Sequence, residues 1–243
     1  MAALAVSVSF SAQAAEEMSD PYEGINRAVF AFNEKADDFV INPALTAYRF
    51  VVPHPARTGV SNFLFNLKAP VRFGNQLLQG DISGAGNELF RTIVNTFIGL
   101  GLFDVAAHEG YAAEHEDFGQ TLGVWGVPHG PYMVVPLIGP SSMRDYVGYA
   151  VDGLADPLRL WAFNVDKSGR FYTIAISDYV NLRNELKDIL DELEASSIDY
   201  YAAVRSSYLQ ARNAMVADQE TNLGEQGSAA PSIPDYDFED EDF

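Results

Sequence analysis

Five residues in one short stretch, His108, Glu109, His115, Glu116 and Asp117, are of the types that hold divalent metals or move protons. A helical zinc site wants two His four apart with a Glu between, because that spacing sets both rings on one face. Here the two His are seven apart, so a solvated charged loop is expected and a metal is not. Ser141-Ser142 offers hydroxyls, but no Gly-x-Ser-x-Gly elbow surrounds it, and the pair reads as a helix cap. Neither a phosphate-cradling glycine loop nor a dinucleotide fingerprint occurs, and there is no Cys for thiol chemistry. Arg144-Asp145 and Asp199 with Arg205 read as structural ion pairs or partner contacts. The expectation is a protein with no catalytic residue and no cofactor.

The 243 residues suit one large domain or two small ones. Fifteen Lys and Arg against 34 Asp and Glu give a net charge of −19, which disfavours nucleic acid and anionic lipid surfaces. Residues 1–14 carry an apolar run ending in Ala12-Gln13-Ala14 and read as an export signal, complete or truncated at its positive n-region. Without Cys, the N-terminal lipid anchor of bacterial lipoproteins is not expected on this sequence. No later stretch reaches the roughly 20 apolar residues of a membrane-spanning helix; Thr96 to Ala107 comes nearest but carries Asp104 and two glycines.

Periodicity predicts helices throughout. Asp20-Pro21-Tyr22-Glu23 has the chemistry of a helix start, with Asp as cap. An apolar stripe of Ile25, Val29, Phe32, Ala36, Phe39 and Val40 follows. Asn42-Pro43 suggests a restart, and Val52-Pro53-His54-Pro55 a break. Two helices joined at Pro70 are expected over residues 56–80, and one over 82–97 with Leu89, Phe90, Ile93, Val94 and Phe97 on its apolar side. Gly99 to Phe103 reads as an apolar bend. Alternating glycines and aromatics from Phe118 to Pro140 suit a hairpin or ordered loop. Ser141 or Ser142 caps a helix to Leu154, Asp156-Pro157 starts a short one, Ser168-Gly169 marks a turn, and two long helices span 172–193 and 199–216. Such stripes ordinarily form a protein core. Residues 15–218 then form the folded domain, and 219–243 a disordered acidic tail.

Several strings together resemble the MlaA/VacJ family. They run from Asp20-Pro21-Tyr22-Glu23-Gly24-Ile25-Asn26-Arg27 and Pro53-His54-Pro55-Ala56-Arg57-Thr58-Gly59-Val60-Ser61-Asn62-Phe63 through Leu78-Gln79-Gly80-Asp81 and Asn95-Thr96-Phe97-Ile98-Gly99. Phe118-Gly119-Gln120-Thr121-Leu122-Gly123, Gly130-Pro131-Tyr132 and Asp199-Tyr200-Tyr201 complete the order, over about residues 19–213. The resemblance implies a mainly α, ring-shaped, doughnut-like bundle of amphipathic helices with a short β-hairpin or ordered loop. It also implies a place on the periplasmic side of the outer membrane, beside trimeric porins. There the family removes mislocalised outer-leaflet phospholipid through a central channel and passes it to a periplasmic carrier, MlaC, keeping the membrane asymmetric. A structural porin-associated protein or a periplasmic lipid hydrolase is the alternative.

Within that resemblance, Lys167 and Arg170 are candidates for meeting a phospholipid headgroup, since a cation offsets the desolvation of phosphate; a solvated basic turn is the other reading. The family's hairpin beside the channel maps onto Gly123 to Tyr132, where Gly123, Gly126 and Gly130 are candidates for gating or for ordinary positive-φ turns, with Pro128 stiffening the segment. The acidic tail, with Tyr236, Phe238 and Phe243 interleaved, is a candidate docking peptide for the carrier.

Overall fold

The computed structural model describes residues 19–222, with side chains through residue 217. The expected export signal and the tail beyond Asn222 lie outside the described residues. The last helix runs to Asn222, past the domain boundary expected at 218.

Helix α1 (Glu23–Ala36) continues through a π-turn (Asp37–Ile41) into α2 (Asn42–Val51). The restart expected at Asn42-Pro43 does not occur. Pro43 has no N–H to give, and the widened turn, in which Asn42 N–H reaches the carbonyl of Asp37, absorbs the missing donor. The break at Val52-Pro53 is real, both residues being extended. Then come α3 (His54–Leu67) and α4 (Ala69–Gln79), which ends at Gly80 in the left-handed region with φ +83°. Helix α5 (Ile82–Phe97) is capped by Asp81, whose carboxylate accepts from Gly84 N at 2.9 Å. Asp20, by contrast, caps nothing: it accepts from Asn26 at 2.8 Å and pairs with Arg205, so tertiary partners have claimed the expected cap.

After the short α6 (Val105–His108), the segment expected as one hairpin divides. Asp117 accepts from Gln120 N and starts α7 (Phe118–Val124), so Gly123 is helical. The helix closes on Gly126, and strands appear only at β1 (Tyr132–Val135) and β2 (Gly139–Ser142), paired antiparallel with Tyr132 opposite Ser142. Ser142 caps α8 (Met143–Ala155), and Asp156 caps α9 (Pro157–Asn164). The turn expected at Ser168-Gly169 lies earlier, at Asp166 with φ +55°, and Ser168 opens the long α10 (Ser168–Ser196). Asp199 accepts from Ala202 N ahead of α11 (Tyr200–Asn222).

Contacts run from α3 to α4, α7, α8, α9 and α10 and return from α10 to α3, so the helices close a ring. Its tightest joint is α7 against α8, where a Cβ on Gly148 would stand 2.2 Å from the backbone N of Gly119. Backbone cannot yield as a side chain tip can. Gly148→Ala is therefore expected to cost at least the ~1–3 kcal/mol of overpacking, seen as a lower urea midpoint; an unchanged midpoint would show the joint to be looser than this.

The apolar core lies to one side, where Phe30, Tyr132, Val134, Tyr201, Val204 and Leu209 join α1, the hairpin and α11. Elsewhere burial is inverted. On α1 the side chains buried are Asn26 and Phe30, while Ile25, Phe32 and Phe39 of the expected core stripe stand in the open. On α5 the buried face holds Glu88, Arg91 and Asn95, and Leu89, Phe90, Ile93 and Phe97 point out. On these two helices the stripes are correctly spaced but mostly face away from the protein, with Val29 alone of the α1 stripe packed against the core, whereas the α11 stripe is buried in it.

Polar bonds also clamp α11 to the ring. Asp145 accepts from Arg144, Arg212 and Tyr208, and Arg212 reaches Asp117 at 2.7 Å. Arg144-Asp145 is thus a buried structural pair, whereas Asp199 pairs with Arg27 and Arg205 with Asp20, not with each other. Burial opposes charge on Asp145, yet Arg212 beside it, with Tyr208 and Arg144, holds its carboxyl below the usual range. A depressed folded value stabilises the fold above the ordinary value of 3.8 and loses that contribution as pH falls through the lower folded value. Acid titration followed by circular dichroism is expected to show this loss, and Asp145→Asn to reduce the acid dependence; identical acid curves would contradict it.

Candidate functional site

From the inward polar stripes of α4 and α5, Arg72 and Arg91 reach a cavity of about 330 Å³ bounded by α3, α4, α5, the segment at 104–115 and α10. Three cations, Lys68, Arg72 and Arg91, and three carboxylates, Asp104, Asp178 and Glu185, stand in its wall, with Leu64, Phe65 and Leu182 among the apolar residues. Charged and apolar side chains thus share one wall.

Spacing explains the buried polar face of α4, of which Arg72 borders the cavity. Arg72, Asn75, Gln76 and Gln79 fall on one face at three- and four-residue steps and are all buried. Each makes at least one polar bond: Arg72 pairs with Glu88 at 2.5 Å, Asn75 donates to Asp152 at 2.9 Å, Gln76 donates to Glu114 at 2.9 Å, and Gln79 donates to Glu116 at 2.7 Å. Glu116 is therefore a buried acceptor and not part of a solvated loop. On α5, Arg91 pairs with Asp104 at 2.7 Å, and Asn95 donates to the same carboxylate at 2.9 Å. Burial works against charge on Asp104, but these hydrogen bonds hold its carboxyl below the ordinary range.

Both guanidinium groups lie over the Phe65 ring, Arg72 3.5 Å and Arg91 6.0 Å from its centroid. His115 meets the same ring edge to face at 5.2 Å. Its ring borders the cavity, and desolvation against the Phe65 face, with the charges of Arg72 and Lys68, pushes its imidazole below the ordinary value. Among the described residues no group of three or more His, Asp or Glu is arranged to hold a metal.

The far wall is α10, joined to the others by polar bonds. Lys68 pairs with Asp178, Ser61 donates to Glu185 at 2.6 Å, and Arg49 donates to Asn184 at 2.7 Å. Helix α10 also keeps Ile176 and Ile189 exposed. No helix among the described residues is long and apolar enough to cross a membrane.

The sequence-based candidates lie elsewhere. Lys167 and Arg170 are exposed at the start of α10, outside the cavity wall. Gly126 at φ +84° and Gly130 at φ +69° occupy backbone that favours glycine, and a Cβ on Gly123 would meet Val216 at 2.7 Å and Arg144 at 2.8 Å. The cavity cations were missed because only apolar periodicity was followed. The signal was the complementary stripe: amides and single charges at 72, 75, 76 and 79, and again at 88, 91 and 95, opposite strongly apolar faces.

A family model described as MlaA lipoprotein matches residues 18–215. The intermembrane phospholipid transport system lipoprotein MlaA of Escherichia coli (strain K12) is 35% identical over 224 residues, covering 89% of this chain and 86% of that protein. A protein of Rickettsia felis is 34% identical over 202 residues, with 82% of this chain and 79% of that one covered. A solved structure described as "Structural basis for maintenance of bacterial outer membrane lipid asymmetry" superposes with a TM-score of 0.70 at 34% identity, covering 82% of this chain and 99% of that chain.

Proposed function

The chain belongs to the MlaA lipoprotein family, and from that premise we propose that it carries phospholipid from the outer leaflet of the outer membrane, through its ring, to a periplasmic carrier. The observation that carries this reading is the inverted burial on α1 and α5, whose apolar side chains largely face out, beside a cavity whose wall carries three cations and three carboxylates among apolar residues. A ring of this kind lies in the apolar layer and offers the headgroup a polar path, at low desolvation cost. The work is binding and passage, with no bond made or broken. The outward stripes on α1, α2 and α5 give membrane attachment of their own, and they suit contact with a trimeric porin; the carrier, MlaC, receives lipid on the periplasmic side.

Deleting the gene in its host is expected to raise outer-leaflet phospholipid, and the tagged chain to co-purify with a porin. Unchanged asymmetry and no porin would sink the proposal. Lys167 and Arg170 are proposed as headgroup contacts at the mouth, and Gly126 and Gly130 as hinges of the segment beside the channel. Returning chains with Lys167→Ala and Arg170→Ala together, or with Gly126→Pro or Gly130→Pro, is expected to restore asymmetry several-fold less well. Full restoration by the first removes the headgroup role, and by both proline variants the gating role.

A further inference from the structure

The two facing walls of the cavity carry opposite charge. On one side Lys68, Arg72 and Arg91 come from the α3–α4 junction, α4 and α5; on the other Asp178 and Glu185, seven residues apart, share one face of α10. Arg72 is balanced from behind by Glu88, and Arg91 by Asp104 at the edge of its own wall, which leaves Lys68 as the cation paired across the space. Each of Arg72 and Arg91 nevertheless keeps an Nε with no hydrogen-bond partner, and both side chains are more than nine-tenths buried. Between the walls runs one pair open to solvent, Lys68 with Asp178, whose side chains are 53% and 30% exposed.

We propose that this cavity selects zwitterionic phospholipid headgroups, with the phosphate taken by the Lys68 and Arg72 wall and the ammonium by Asp178 and Glu185. This rests on the phospholipid reading above and adds the headgroup class. A zwitterion entering between Lys68 and Asp178 replaces each partner with a group of the same sign, so the exchange leaves no charge uncompensated. A headgroup with phosphate alone satisfies Lys68 and leaves Asp178 and Glu185 facing an anion without a counter-ion. Like charges across a confined space disfavour that complex. His115, beside Arg72, adds no formal charge to the wall when its imidazole is neutral.

The test places a photoreactive side chain at Ala113, which borders the cavity, in the full-length chain reconstituted in vesicles holding equal phosphatidylethanolamine and phosphatidylglycerol. The ratio of the two lipids captured is expected to favour phosphatidylethanolamine by about fivefold, the effect of one partly exposed charge pair. Asp178→Asn or Glu185→Gln is expected to lower that ratio and Lys68→Met to raise it, while Asp191→Asn, on α10 but away from this cavity, leaves it unchanged. A ratio near one in the original chain, or one indifferent to all three wall substitutions, overturns the inference while phospholipid capture itself upholds the conduit. Capture of neither lipid overturns both. Soluble phosphoethanolamine provides the arm without tails: displacement of lipid only at much higher concentration supports a lipid site, and displacement at equal or lower concentration overturns it.

Discussion

Replacing Glu88 with Gln is expected to destabilise the ring by ~3–5 kcal/mol, the cost of stranding one buried charge. Both members of the Arg72–Glu88 pair are nearly sealed from solvent, and Arg72 has Arg91 close by, so the guanidinium left behind has no carboxylate to answer it. Burial already pushes the Arg72 guanidinium down, and Arg91 adds to this; Glu88 is what opposes both. In a protein of this size such a loss lowers Tm by roughly 6–20 °C, measurable by thermal unfolding in detergent. The double change Arg72→Met with Glu88→Leu removes the charge and its partner together and is expected to recover most of the stability. It also removes a cation from the cavity wall, so stability and lipid transfer should separate in that variant. A Tm within a degree or two of the original for Glu88→Gln would mean that water reaches the pair.

Phe50→Asp and Phe97→Asp are each expected to weaken binding to vesicles by about 10–100-fold while leaving Tm nearly unchanged. Phe50 is 91% and Phe97 78% exposed, so in water neither ring supports the fold. If the outward face lies in lipid, each ring there contributes the ~1.5–3 kcal/mol of a buried apolar side chain, and a carboxylate at the same depth costs more. A core position gives the opposite result: Val134→Asp, in the cluster with Tyr132 and Tyr201, should unfold the protein. Flotation of the variants with vesicles, read beside their melting curves, tests this. If the Phe variants bind vesicles as the original does, those stripes are not the surface that meets lipid.

The apolar stripes themselves were legible from spacing, as were the break at Pro53, the junction at Pro70 and the caps at Ser142 and Asp156, because each rests on the backbone chemistry of a few neighbouring residues. Local chemistry misled where a distant partner outbid it. Asp20 is drawn from its helix end by Asn26, Tyr201 and Arg205, and the Asn42-Pro43 restart is overridden by a π-turn. The glycine-rich stretch after Phe118 begins as a helix because Asp117 caps it and Gln120 and Thr121 find buried partners.

What the sequence determined alone was the mainly helical class, most helix boundaries, and, through its ordered strings, the family. Which face of each helix is the inside was decided only by tertiary structure. Periodicity separates an apolar face from a polar one but carries no sign, since the same stripe buries in a core or stands against lipid. The sign comes from partners far apart in the chain: Gln76 with Glu114, Gln79 with Glu116, Lys68 with Asp178. Those pairs turn the polar faces inward, and in the charged stretch expected to be solvated Glu116 is buried against Gln79 while His115 borders the cavity.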